Sequence, residues 1–346
     1  MRKTRAFLLG SSGGTRYYHV VSRTAGQERL FDEAAKEMFM RIMHKQLQFS
    51  GLRAVAWCFM GNHFHLLLDV PDKATALAEV TDAMAIERLQ VFRDEFSTRM
   101  LLGDVETYRQ IGDTHGVRAI ADRIRARLFD LSMFMKEFKQ RMTLAFNLAH
   151  GRTGTLWEGR FRSVLLEAGE AVRLVAAYID LNPVRAGIVA DPKEYRWCSY
   201  AAAVAGSPDA RAGLSSATNG GDRGMPWQAV STAYRKLIFG IGESSADRKN
   251  SSRCGFTQAQ VEAVWEAGGK LSIAEVLRCR IRYFSAGAVL GSKQFLERFF
   301  LTKREQFGAN RRSGARRMSG AEWGELRTLR ALKLRPISAP EPDSQS

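Results

Sequence analysis

"LRAVAWCFMGNHFHLLLDV", residues 52–70, decides the fold. Two runs rich in β-branched, aromatic and aliphatic residues flank Gly61-Asn62, a pair suited to a tight turn, so the stretch reads as a β-hairpin. Upstream, "YYHVVS" (17–22) is dense in β-formers and reads as a strand. Between them, "FDEAAKEMFMRIMHKQLQF" (31–49) places Phe31, Ala35, Met38 and Ile42 at helical spacing and is followed by Gly51. Strand, helix, strand, strand is the opening of a ferredoxin-like α+β unit with an antiparallel sheet.

Working outward, residues 72–127 are polar and helix-favouring, which predicts a helical insertion. "DLSMFMKEFKQRMTLAFNLAH" (130–150) is amphipathic, with Phe134, Phe138, Met142 and Ala145 on one face. "TGTLWEGRFRSVLLEA" (153–168) reads as a turn and strand, and "GEAVRLVAAYIDLN" (169–182) as a helix that stops near Pro183. The expected organisation is a catalytic domain over 1–204, a Gly/Ser/Ala-rich flexible linker over 205–226, and a mostly helical basic extension over 227–346. No internal repeat is present.

The 346 residues are ordinary in hydrophobic content (45%) and charged content (25%), but not in balance: 52 Lys+Arg against 36 Asp+Glu give +16. Such an excess points to a polyanionic partner, nucleic acid or an anionic membrane surface. No apolar run approaches the ~18–20 residues of a membrane span, and "AFLLG" near the N-terminus is too short for a signal peptide. Four dispersed cysteines without a C-x-x-C pair indicate neither a zinc ribbon nor a disulfide framework, which suits a reduced, cytoplasmic protein.

In a strand, His63 and His65 project from one face, the beginning of a metal site that lacks a third ligand. Equally, they could be two polar residues on a half-exposed strand. In "YIDLNPVRAG" (178–187), Tyr178 and Asn182 stand about 40° apart on a helix. Tyr178 also falls on an apolar stripe with Leu174, Val175 and Leu181, which suits a core residue, and Asn182-Pro183 suits a helix end. The two weak signals are chemically complementary. A tyrosine hydroxyl attacks a phosphodiester at neutral pH only with a metal to polarise the phosphoryl group. His63 and His65 can offer two ligands, and Asn182 an amide oxygen one turn beyond Tyr178.

"YYHVVSRTAGQERLF" (17–31), "WCFMGNHFHLLL" (57–68), "GRTGTLWEGRFRS" (151–163), "YIDLNPVRAGIV" (178–189) and "YRWCSY" (195–200) resemble, in order and character, the HUH single-tyrosine transposases. The closest resemblance is to REP-associated tyrosine transposases and their relatives. It implies that "HFH" is the His-hydrophobic-His motif, Tyr178 the nucleophile and Asn182 the residue completing the metal site. It further implies Mg²⁺ or Mn²⁺ as cofactor and hairpin-bearing single-stranded DNA as partner. The implied reaction is nicking and strand transfer through a 5′-phosphotyrosine, as in DNA transposition or hairpin-repeat processing. The alternative is a domesticated protein that binds DNA without cleaving it. The oligomeric state, monomer or homodimer, stays open.

Arg152, Arg160, Arg162 and Arg185 are the expected DNA contacts. Trp157, set among the first three, could stack a base, but alternation along "LWEGRF" favours its burial with Phe161. Residues 303–335 hold ten Lys/Arg against three acids, an excess that favours a nucleic-acid arm over a solvated face.

Overall fold

The computed structural model describes residues 15–218, 225–239 and 272–330. Its centre is four antiparallel strands: β1 (Arg16–Arg23), β2 (Arg53–Phe59), β3 (His63–Val70) and β4 (Arg162–Leu166). Their order, β2-β3-β1-β4, with α1 (Glu33–Ser50) crossing from β1 to β2, is the ferredoxin-like arrangement expected from the sequence. The Asp32 side chain accepts from Ala35 N to start α1, and Gly51 ends it.

Alternation gives the sheet two faces. One carries Trp57, Phe59, Phe64 and Leu66 and is covered by α1 and by α6 (Leu131–Ala149), where Phe39 meets Phe59 and Phe138 meets Phe64 with ring centroids 6.4 and 5.6 Å apart. Trp157 is buried here, its Nε1–H donating to Thr143 Oγ1 at 2.9 Å, so burial and not stacking is its role. The opposite face carries His63 and His65 and is covered by α7 (Glu170–Asp180).

Residues 73–125 hold four helices, α2 (Lys73–Ala78), α3 (Asp82–Glu87), α4 (Phe96–Gln110) and α5 (Thr114–Arg125). They enclose a second hydrophobic cluster that includes Ile86, Phe92, Val105 and Ile124. It is tied to the main core by ionic contacts: Arg127 pairs with Glu137 at 2.6 Å, and Arg141 with Glu95 at 2.8 Å.

After residue 204 one expectation is corrected and the mostly helical extension proves to carry short strands as well. Within 205–226, read as a flexible linker, Pro208–Thr218 is a helix with Ala210, Gly213, Leu214 and Ala217 buried. The small residues give close packing, not flexibility: a Cβ on Gly213 would stand 2.6 Å from the Val55 carbonyl oxygen of β2. The extension, besides its helices, adds strands to the sheet. Val289–Gly291 pairs in parallel with β4, and Arg327–Thr328 and Arg316–Arg317 follow it outward. Described residues of the expected basic arm are therefore folded onto the sheet, with Met318, Trp323 and Leu326 buried and Arg311 hydrogen-bonded to the carbonyls of Ser313, Gly314 and Leu329. Residues 331–335 of that run, and the apolar N-terminal segment, lie outside the described residues. Among the described residues no helix is long and apolar enough to cross a membrane, and Cys58, Cys198 and Cys279 are free thiols.

Candidate active site

The register of β1 against β3 sets Arg23 opposite His63, Val21 opposite His65 and His19 opposite Leu67, so His19, Arg23 and both motif histidines share one face. Arg162 of β4 joins them opposite Val21. α7 is laid across this face after a sharp turn at Gly169, whose φ of 87° disfavours any side chain. Nine residues of α7 are buried, which is why its apolar character runs all round. Its last residue, Asp180, anchors it: the carboxylate accepts from Ser199 Oγ, Tyr234 Oη and Tyr200 N at 2.7, 2.7 and 3.0 Å, and burial pushes its pKa up to about 6.

The structure brings Tyr178, His63 and His65 together. The ring centroids of His63 and His65 are 5.1 Å apart, and Tyr178 stands edge-on to His65 at 6.1 Å and to His19 at 6.3 Å. Phe284 closes the far side at 5.3 Å, and the Arg185 guanidinium lies 3.9 Å from the ring centre. Tyr178 is thus only 3% exposed, as its apolar stripe predicts. Its hydroxyl differs from that of an ordinary core tyrosine: among the described residues no group hydrogen-bonds it.

The hydrogen bonds of the histidines define which nitrogen carries the proton. His19 Nδ1 lies 2.6 Å from the Phe284 carbonyl oxygen, which can only accept, so that nitrogen bears the hydrogen. In a neutral ring His19 Nε2 is then an acceptor, and His65 Nδ1, 2.8 Å away, must donate to it. The lone pair of His65 is left on Nε2. His63 follows the same logic. Asn62 Nδ2 donates to the Gln27 carbonyl, which turns Oδ1 towards His63 Nδ1 at 2.7 Å and leaves His63 Nε2 free to coordinate.

The rings are also held neutral. Burial, reinforced by Arg23, Arg185 and Arg280, lowers the pKa of His63 to about 3. Burial and the neighbouring His19 and His63 hold His65 well below the usual imidazole range, and burial takes His19 to about 4. Neutral imidazoles with Nε2 lone pairs left free suit a divalent ion. Asn182 spends its Nδ2 on the carbonyls of Ile179 (3.0 Å) and Tyr178 (3.4 Å), which leaves Oδ1 as its free acceptor. Among the described residues no three His, Cys, Asp or Glu side chains gather around a common point.

The expected DNA contacts divide. Arg160 and Arg162 are exposed and line a cleft of ≈ 390 Å³ with Arg23, Glu158, Arg280 and Arg282. Arg152 is exposed and does not line that cleft; its guanidinium lies 5.8 Å from the Phe146 ring. Arg185 is a correction: it is buried, donating to the Leu277 and Tyr178 carbonyls at 3.0 and 2.7 Å while stacking on Tyr178. Its fork is engaged by the protein, so it braces the tyrosine. Sequence reading missed His19 and Arg23; the only signal was their shared parity in β1, which becomes informative once the register with β3 is known.

Comparison with known proteins finds a family match and a structural likeness. Residues 14–102 match the family model described as "Transposase IS200 like". The matched segment includes His19, His63 and His65, while Tyr178 and Asn182 lie beyond it. A structure of a REP-associated tyrosine transposase bound to a REP hairpin is 16% identical, covers 60% of this chain and 87% of its own, and superposes with a TM-score of 0.37. No curated protein matches the chain.

Proposed function

We propose that this protein, which carries an IS200-like transposase segment, nicks and rejoins single-stranded DNA with Tyr178 as nucleophile. The observation that carries the reading is the placement, beside two imidazoles that keep an Nε2 lone pair, of a tyrosine hydroxyl that no described residue hydrogen-bonds. His63 and His65, with Asn182 Oδ1 completing the set, would hold the divalent ion that the family resemblance implies, Mg²⁺ or Mn²⁺. When bound, that ion supplies positive charge at the phosphoryl oxygen as the phosphate is attacked.

The remaining work belongs to the protein. Arg185, Phe284, His19 and His65 fix the Tyr178 ring, so its oxygen is presented without a search through rotamers. Attack of that oxygen on phosphorus forms the 5′-phosphotyrosine and releases a 3′-hydroxyl, which keeps the energy of the phosphodiester for rejoining. The partner proposed is single-stranded DNA with hairpins, as in the resembling family.

A non-cleaving DNA binder is the second reading, and one observation favours it: Tyr178 is nearly enclosed beneath Phe284. One experiment separates the two. The protein is incubated with single-stranded DNA from the flanks of its gene and Mn²⁺, then denatured. A covalent protein–DNA adduct that EDTA prevents is expected; its absence alongside tight binding would establish the silent binder.

A further inference from the structure

We propose that Arg280 and Arg282, from the region beyond the transposase-like core, join Arg23, Arg160 and Arg162 in a phosphodiester-binding cleft. It would hold the DNA backbone next to the scissile phosphate. The inference deepens the proposed function and rests on it only for the position of the scissile phosphate.

Three separate parts of the chain build the cleft: the end of β1, the approach to β4, and the segment leading into the helix Arg282–Ala286. Five arginines face one glutamate across ≈ 390 Å³. Several arginines elsewhere are paired, Arg125, Arg127, Arg141 and Arg173 with carboxylates and Arg304 and Arg311 with carbonyls, and those unpaired among the described residues, such as Arg99 and Arg118, do not line this cleft. Among the described residues none of the five cleft guanidinium groups makes a side-chain hydrogen bond or ion pair. Holding them together costs mutual repulsion that Glu158 alone does not offset, so an external anion is the missing partner.

The lining also says which part of a nucleic acid would sit there. It comprises arginine, serine, glycine, alanine, valine and glutamate, with no aromatic face on which a base could stack. Guanidinium forks match phosphate oxygens bidentately, and the cleft's Ser22 and Ser285 add hydroxyl donors. The ligand is therefore the backbone, held without regard to sequence. The cleft adjoins the candidate active site, because Arg23 lies directly opposite His63 in the β1–β3 register. A strand lying in it would arrive at the histidines already neutralised.

The test is the salt dependence of binding, read by fluorescence anisotropy with a labelled single strand bearing a short hairpin. All variants carry Tyr178→Phe, so that no covalent trapping enters the isotherm. Arg280→Ala/Arg282→Ala should flatten the log Kd against log salt slope by about 1.4, about 0.7 for each lost contact on a single strand. Arg280→Lys/Arg282→Lys should restore most of it. Both residues are at least partly exposed, so the thermal midpoint should not move. An unchanged slope overturns the proposal, as does equal flattening by Arg99→Ala/Arg118→Ala on the insertion. If the unmodified protein forms no adduct but the slope still falls, the cleft stands and the nucleophile reading fails. If an adduct forms and the slope is unchanged, the nucleophile reading stands and the cleft fails.

Discussion

Tyr178→Phe removes one oxygen atom and should remove one activity. The ring is held by Arg185 on its face and by His19, His65 and Phe284 at its edges, contacts that phenylalanine keeps. Were the hydroxyl an ordinary buried one, its lost hydrogen bond would cost roughly 0.5–1.5 kcal/mol. Since no described group bonds it, the expected change is within about 0.5 kcal/mol. For a chain of this size that corresponds to a melting shift below about 2 °C. Binding of a hairpin-bearing single strand should be unchanged, while the denaturation-resistant adduct should vanish entirely. The assay is a denaturing gel with Mn²⁺ and labelled DNA, beside a thermal melt of the same preparation. Persistence of the adduct would refute the reasoning, and mass mapping would then locate the nucleophile. Tyr18 is a poor substitute, because burial pushes its hydroxyl up to about 12, which leaves Tyr17 and Tyr108 as the residues to inspect.

His63→Ala should abolish the adduct with little loss of stability, since the ring is only half-buried, and EDTA should mimic it; cleavage that continues in EDTA would remove the metal from the scheme. His65→Ala should have the same effect on activity but lower the melting temperature as well, because His65 is buried among rings. His19→Phe deletes the acceptor that fixes the proton on His65 Nδ1, so Mn²⁺ affinity by calorimetry should fall roughly 10–100-fold while DNA binding holds. An unaltered Mn²⁺ affinity would show that His19 is only packing. Glu137 supplies the pH dependence: burial pushes its carboxyl up, but Arg127, Gln46 and Arg141 outweigh that and hold it below the usual carboxylate range. A depressed acid contributes stability that is present above its unfolded pKa of about 4.5 and is lost as pH falls through the folded value. Glu137→Gln should therefore cost about 2 kcal/mol at neutral pH, less than a fully buried pair because Arg127 reaches solvent, and should make the acid limb of stability shallower. Equal acid sensitivity in both proteins, measured by urea unfolding across pH, would contradict it.

How far the sequence could be read depended on the range of the interaction involved. The β1–α1–β2–β3 order was legible because alternation and helical spacing are local, and His63 and His65 had to share a face whatever the strand paired with. The helix Pro208–Thr218 was not legible, since small residues serve both a flexible linker and a close helix–strand contact, and composition cannot tell these apart. Arg185 misled for a similar reason. A cation beside a candidate nucleophile suits phosphate binding, yet it is satisfied by carbonyls, one of them from Leu277, 92 residues away. His19 is the most instructive case. Within "YYHVVS" it reads as a polar interruption of a strand, and its use depends on the Phe284 carbonyl 265 residues later. That carbonyl fixes the His19 tautomer, which fixes that of His65, which decides which of its nitrogens keeps the lone pair. The C-terminal region thus acts on the chemistry of His65 through two hydrogen bonds whose direction is forced by the one group that can only accept.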